Sequence, residues 1–156
     1  ADVAVFSVDA TQPDYWRLTS LDRFDGEAWT SSGRFQSTDG RLPSRLPDDT
    51  ATQAVLQTFT IRALDSLWLP AAYEPLAVRD EGGLDPSYEA ESATLTVGDD
   101  RMTADGSVYT VESRVPVRDP AVIRAASSER TTMTAEFLSI DLRATGAVGS
   151  VVKMRW

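Results

Sequence analysis

The segment TQAVLQTFTIRAL, from Thr52 to Leu64, carries the clearest strand pattern in the chain. Val55, Phe59 and Ile61 alternate with polar residues at 58, 60 and 62, so the apolar side chains share one face. The segment from Val108 to Val115 shows the same alternation. Two such segments predict long antiparallel strands with one buried face.

Shorter strands and tight turns are predicted on either side of these two segments. Apolar and aromatic residues indicate strands at 3–8, 15–19, 95–97 and 137–142. Asp-Gly pairs, which suit turns that need a positive φ, occur at 25–26, 39–40 and 105–106. Asp119 followed by Pro120 predicts one short helix near residues 120–127. The sequence therefore predicts an all-β fold, an antiparallel β-sandwich or open barrel of about seven strands with that helix.

Composition and the positions of turn-forming residues predict the domain organisation. We expect a single β-rich domain over residues 1–142 and an irregular tail over 143–156. Residues 31–49 are polar and rich in Gly, Pro and Ser, which predicts a long surface loop. Prolines at 70 and 75 predict an edge strand or extended connector around 68–78. The aromatic residues that we assign to the core are Trp16, Phe24, Trp29, Phe59 and Trp68.

The composition restricts the chemistry that the chain can perform. None of its 156 residues is cysteine or histidine. A disulfide, a Cys/His metal site and a Cys-His or Ser-His-Asp triad are therefore all excluded. The formal net charge of −9 disfavours a phosphate backbone, so we exclude nucleic acid as a partner. No stretch approaches the ~20 apolar residues of a membrane span, and residues 1–8 do not resemble a signal peptide.

Acidic residues leave one enzymatic alternative open. Adjacent carboxylates occur at 48–49, 80–81 and 99–100, where they point to opposite faces of a strand or into solvent. A small carboxylate-based hydrolase would need two carboxyls roughly 5 to 9 Å apart across a cleft. The run from Asp22 to Glu27 lacks the alternating ligand spacing of a calcium loop, and an Asp-Gly turn explains it more simply. We expect no catalytic residue, no metal site and no cofactor.

Aromatic residues favour a second alternative, a carbohydrate- or peptidoglycan-binding module. Trp and Tyr rings present an apolar face on which a sugar can stack. Tyr73 and Tyr88 lie in loop-like sequence and are the candidate ligand or docking residues.

Several segments occur in the order that is found in one bacterial family. The segments are DYWRL at 14–18 with DRFDGEAW at 22–29, LWLPAAYEP at 67–75, GSVYTVES at 106–113 and IRAA at 123–126. They resemble, respectively, the patterns p-x-Y-x-R with Y-D-G-x-x-W, lPlpy-x-P, g-x-x-Y-x-V-x-S and L-r-x-A. Together they resemble the extracytoplasmic domain that precedes the catalytic core of TgpA-type transglutaminase-like membrane proteins. Phe24 stands where the family has tyrosine, and the likeness covers about residues 5–142.

The resemblance implies a location and a role rather than an activity. The family's Cys-His-Asp residues lie in a later domain, and none of them matches a position in this chain. The resemblance implies a domain outside the cytoplasmic membrane, tethered to it through segments outside this sequence. We therefore expect a non-catalytic accessory, spacer or interaction domain and not an enzyme. Its expected partners are the catalytic domain of the same parent chain and an envelope protein or glycan.

Overall fold

The computed structural model describes residues 2–25, 27–31, 33–98, 102–103 and 105–125. These residues form ten strands and one helix: β1 (Phe6–Ala10), β2 (Arg23–Phe24), β3 (Trp29–Thr30), β4 (Gln36–Ser37), β5 (Thr52–Ile61), β6 (Trp68–Leu69), β7 (Pro75–Asp80), β8 (Ser87–Glu89), β9 (Thr94–Thr96), β10 (Val108–Pro116) and α1 (Pro120–Ala125). The prediction of an all-β fold with one short helix is confirmed. There are more strands than the seven expected because several span only two or three residues.

The chain divides into two compact units. Among the described residues, the larger unit contains 2–20 and 33–117, and the smaller contains 21–31 and 118–125. The larger unit holds two four-stranded antiparallel sheets, in the orders β1-β5-β10-β7 and β4-β8-β9-β6. The smaller unit holds the two-stranded sheet β2-β3 and helix α1.

The two larger sheets share one hydrophobic core, which gives the larger unit a sandwich-like architecture. Phe59 and Tyr109 enter the core from the first sheet, and Tyr88 and Leu95 enter it from the second. The Phe59 ring stacks on Tyr109 with centroids 5.2 Å apart. Both central strands, β5 and β10, come from the two segments with strict alternation, because burial of one face is what that pattern encodes.

One polar side chain lies on the buried face of β5. Gln57 is fully buried between Val55 and Phe59. Its Nε2 donates to the Val55 carbonyl at 3.0 Å, and its Oε1 accepts a hydrogen bond from the backbone N–H of Ala72 at 2.8 Å. A buried amide is tolerated there because its polar atoms are satisfied.

The predicted turns met different outcomes. The expected hairpin after Phe24 is confirmed, because β2 and β3 pair in antiparallel fashion. The prediction of a local hairpin at 39–40 is wrong, because the backbones of Gly40 and Leu42 instead form hydrogen bonds with Val78 and Leu76 of β7. A Cβ at Gly40, where φ is +97°, would come 2.9 Å from the Val78 carbonyl oxygen. The predicted loop 31–49 is therefore partly structured, and it also contains β4 and the buried Leu42.

Two further predictions concern the connections of the larger unit. The turn at 105–106 does lead into β10, but β10 pairs with β5 and β7 and not with the preceding strand β9. The predicted strand at 15–19 is reduced to one isolated bridge between Arg17 and Ala71. The expected edge position of the 68–78 piece is confirmed, because β7 and β6 each end a sheet.

The smaller unit corrects two core assignments. Phe24 and Trp29 are exposed, because the β2–β3 hairpin carries them on a sheet of only two strands. Phe59 is fully buried as expected, while Trp16 and Trp68 are half-buried. Helix α1 begins as predicted, with the Asp119 carboxylate accepting the Ala121 N–H at 2.7 Å.

The predicted strand at 137–142, the domain limit at 142 and the tail at 143–156 lie outside the described residues. No helix in the described part of the chain is both long and apolar enough to cross a membrane.

Candidate docking site

The two tyrosines selected from sequence occupy different environments. Tyr73 is 37% exposed, whereas Tyr88 is only 4% exposed and belongs to the core. The prediction that Tyr88 is exposed is wrong, because this tyrosine lies in β8 and its side chain packs in the core instead of facing solvent. Burial, with a smaller contribution from the negative charge of Glu74, raises the pKa of Tyr88 to about 12. Its hydroxyl has no hydrogen-bond partner among the described residues.

Arg17 holds the ring of Tyr73 in place. Its guanidinium carbon lies 5.2 Å from the centroid of the Tyr73 ring, within cation–π range. The same guanidinium donates to the Ser20 hydroxyl and to the Ala93 carbonyl, each at 2.8 Å. Backbone hydrogen bonds of 2.9 and 3.0 Å join Arg17 to Ala71. Burial lowers the pKa of Arg17 from its usual value of 12.5. The hydrogen bonds of Arg17 to Ser20, Ala93 and Ala71 therefore position the group that contacts the exposed tyrosine ring.

Glu74, the next residue along the chain, is fully buried. Its carboxylate accepts hydrogen bonds from the backbone N–H of Arg45, from the backbone N–H of Leu46 at 3.2 Å and from the Ser44 hydroxyl at 3.3 Å. A buried carboxylate needs such donors to offset its lost hydration. The loop 44–46 is therefore anchored to the residue that follows Tyr73 in the chain.

Arg114 secures the same loop from strand β10. Its Nη2 donates to the Ser44 hydroxyl and to the Leu46 carbonyl, each at 2.8 Å. Its backbone also pairs with that of Glu74 through hydrogen bonds of 3.0 and 2.8 Å. Ser44 thus links the guanidinium of Arg114 to the carboxylate of Glu74. Sequence reasoning missed this cluster, and its one sequence signal was a glutamate placed between a tyrosine and a proline.

A second buried carboxylate, Glu89, is also held by backbone amides. It accepts the N–H groups of Glu91 at 3.0 Å and Ser92 at 2.6 Å. Both buried carboxylates therefore anchor loops, an arrangement that does not favour the carboxylate-based hydrolase. The described residues contain no group of three or more acidic side chains suited to a metal ion.

Two open grooves lie beside the segment 38–43. The larger, of about 870 Å³, runs along β7, and the smaller, of about 530 Å³, runs along β8. Arginine and carboxylate side chains line both grooves, so neither has the single sign of charge that would select a charged ligand. Tyr73 lines neither groove, so its exposed ring is a separate feature of the surface.

Comparison with known proteins now adds one match. The family model described as the TgpA N-terminal domain matches residues 1–120. The chain belongs to the TgpA N-terminal domain family. Neither a curated protein nor a solved structure matches the chain.

Two of the segments that resemble this family contribute residues to the site. Within the TgpA N-terminal domain, segment 14–18 supplies Arg17 and segment 67–75 supplies Tyr73 and Glu74. Segment 106–113 forms most of the central strand β10. Two segments that are distant in sequence therefore meet in the Arg17–Tyr73 contact. The segment at 123–126 lies beyond the matched range.

Proposed function

We propose that this TgpA N-terminal domain is a non-catalytic accessory domain of a membrane-anchored transglutaminase-like protein. It lies outside the cytoplasmic membrane, spaces the catalytic domain from the membrane and offers a docking face to a substrate protein. The observation that carries the proposal is the family match over residues 1–120 in a chain without cysteine or histidine. Without these residues the chain lacks a thiol nucleophile and the side chain that most often acts as general base near neutral pH.

The surroundings of the buried polar groups support this proposal. The carboxylates of Glu74 and Glu89 accept hydrogen bonds from backbone N–H groups of loops, and the Tyr109 hydroxyl donates to the Pro70 carbonyl at 2.8 Å. Each of these groups is hydrogen-bonded within the sandwich and stabilises it. The exposed ring of Tyr73, held by Arg17, remains as a rigid feature that can make contact.

The first test separates an accessory role from catalysis. The purified 156-residue chain and the full parent protein are assayed side by side for amine incorporation into a glutamine peptide and for peptide hydrolysis. We expect turnover by the parent protein alone. Turnover by the 156-residue chain would overturn the proposal.

The second test concerns location and exploits the absence of cysteine from this chain. Ser7, an exposed residue of β1, is changed to cysteine in a parent protein whose own cysteines are replaced. A membrane-impermeant maleimide should label the Ser7→Cys protein in intact spheroplasts. Labelling only after permeabilisation would place the domain on the cytoplasmic side and contradict the proposal.

The third test concerns docking. Tyr73→Ala in the parent protein should lower turnover of a protein substrate several-fold and leave turnover of a small peptide unchanged. Tyr73→Phe keeps the ring and should restore the activity. Equal losses on both substrates would indicate damage to the fold instead of a lost contact.

A second candidate function is binding of glycan or peptidoglycan. Tyr15, which is 78% exposed, and Tyr73 flank the Arg17–Ala71 bridge, so two accessible rings belong to the same pair of segments. A glycan that binds the native state raises the melting temperature by mass action. Tyr15→Ala and Tyr73→Ala should each remove that increase. An unchanged melting temperature across soluble peptidoglycan fragments and polysaccharides would count against this candidate.

A further inference from the structure

A stacked aromatic pair lies on the surface of the smaller unit. Phe24 and Trp29 are directly opposite each other in the β2–β3 hairpin, with ring centroids 5.1 Å apart and planes at 29°. They are 46% and 58% exposed. Exposed apolar side chains that adjoin one another mark interaction surfaces more often than isolated ones do, and Trp is among the residue types enriched in binding hot spots.

The turn of the hairpin presents this pair in a fixed conformation. The Asp25 carboxylate accepts the backbone N–H groups of Glu27 at 2.9 Å and Ala28 at 2.8 Å. The backbone N–H of Asp25 donates to the Ala28 carbonyl at 3.3 Å, and that of Asp22 donates to the Thr30 carbonyl at 3.1 Å. A partner that binds a preordered hairpin loses less conformational entropy.

The charges around the pair indicate which partner fits. Asp22, Asp25 and Glu27 oppose the single cation Arg23, so the hairpin is acidic. An anionic lipid surface would be repelled. A second copy would bring the same carboxylates together, because a two-fold interface is self-complementary in position. Lysine or arginine from another protein would be attracted both by these carboxylates and by the face of Trp29.

We propose that the β2–β3 hairpin is a docking surface for an apolar segment of another protein that carries lysine or arginine. Trp29 is the anchor, Phe24 supports its ring, and the exposed carboxylate of Glu27, which takes no part in the turn hydrogen bonds, recognises a flanking cation. The inference names a contact surface of the accessory domain. It rests on the proposed function only in assuming that the domain works by contact.

The indole N–H resonance of Trp29 in the ¹⁵N-labelled chain, assigned with Trp29→Phe, reports on this surface. The probes are synthetic peptides with an apolar centre flanked by lysines, and matched peptides flanked by glutamates. We expect the resonance to shift saturably with the lysine peptides. Their affinity should fall about tenfold at high salt, because exposed charges are screened. Leu56→Ala, a control that removes a side chain 50% exposed on β5, should leave the binding unchanged.

Reversing the charge of one hairpin side chain tests the recognition of cations without unfolding the hairpin. The turn uses only the backbone N–H of Glu27, so Glu27→Lys leaves those hydrogen bonds in place. It should weaken binding of lysine peptides several-fold and strengthen binding of glutamate peptides.

Three results would overturn the inference. The first is that the chain binds both peptide classes equally, or binds neither. The second is a shift of the Trp29 resonance when the concentration of the chain alone is raised. The third is a shift of that resonance when phosphatidylglycerol vesicles replace the peptide. The proposed function would fail if the chain itself turned over a substrate. The three results above concern binding only, so the two failures can be told apart.

Discussion

The fully buried carboxylate of Glu74 accepts a hydrogen bond from the backbone N–H of Leu46 at 3.2 Å. The neighbouring N–H of Arg45 and the Ser44 hydroxyl complete a set of donors on one loop. Glu74→Gln replaces one acceptor oxygen with an NH₂ group that faces these donors. We expect the free energy of unfolding to fall by about 1–3 kcal/mol, measured as a lower urea midpoint at unchanged slope.

Glu112→Gln is the control for this change, because it makes the same substitution on an exposed residue of β10. Its effect should stay within about 0.5 kcal/mol. If the two variants lost equal stability, the loop anchor at Glu74 would have no special role.

Tyr88 and Tyr109 form a matched pair for testing a buried hydroxyl. The Tyr109 hydroxyl donates to the Pro70 carbonyl at 2.8 Å, whereas that of Tyr88 has no partner in the described part of the chain. Tyr109→Phe should lower the free energy of unfolding by about 1–2 kcal/mol, while Tyr88→Phe should leave it unchanged or raise it slightly. Thermal and urea unfolding of both variants measure the difference. A larger loss in Tyr88→Phe would show that its hydroxyl is satisfied.

The same two tyrosines predict a loss of stability in alkali. Burial raises the pKa of Tyr88 to about 12 and raises the pKa of Tyr109 as well, whereas tyrosine in the unfolded chain titrates near 10. Above pH ~10 the unfolded state therefore binds fewer protons than the folded state, and the free energy of unfolding falls as pH rises. Tyr88 contributes to this fall between about pH 10 and 12.

Urea unfolding at a series of pH values checks this sign and its origin. Below pH ~9 the curve should show no tyrosine-dependent slope. Tyr88→Phe should flatten the alkaline fall without removing it, because Tyr109 remains. An identical alkaline slope in the variant would mean that the pKa of Tyr88 is the same in the folded and unfolded states.

Asp25 should control the order of the β2–β3 hairpin. Its pKa is lowered by hydrogen bonds from the backbone N–H groups of Ala28 and Glu27, so its stabilising effect is present above about pH 4. That effect is lost as the pH falls through the depressed pKa of the folded state. Asp25→Ala should speed amide exchange at 27 and 28 and separate the Phe24 and Trp29 rings, while β5 and β10 stay protected. Glu27→Ala, which keeps both turn hydrogen bonds, should leave the exchange rates unchanged.

Local pattern was sufficient to locate the main strands and the helix. Alternation gave β5 and β10 because a strand with one buried face must place apolar residues at every second position. Asp119 and Pro120 predicted the start of α1 because capping depends on residues next to each other in the chain. The prolines at 70 and 75 likewise predicted an edge position, since proline cannot donate to a central ladder.

Burial and contact at single residues were decided only by the tertiary structure. Phe24 and Trp29 were assigned to the core and are exposed, whereas Tyr88 was expected at the surface and is buried. An aromatic residue is buried only where a second layer covers it, and sequence patterning does not show which strands are covered.

The sequence by itself determined the β class of this protein, its two long strands and the absence of cysteine and histidine chemistry, since each is a property of composition or near neighbours. Only the tertiary structure brought Arg17 to Tyr73 and the loop at 44–46 to Glu74. These contacts join residues that are far apart in the chain, and their formation depends on how the strands pair and how the sheets pack.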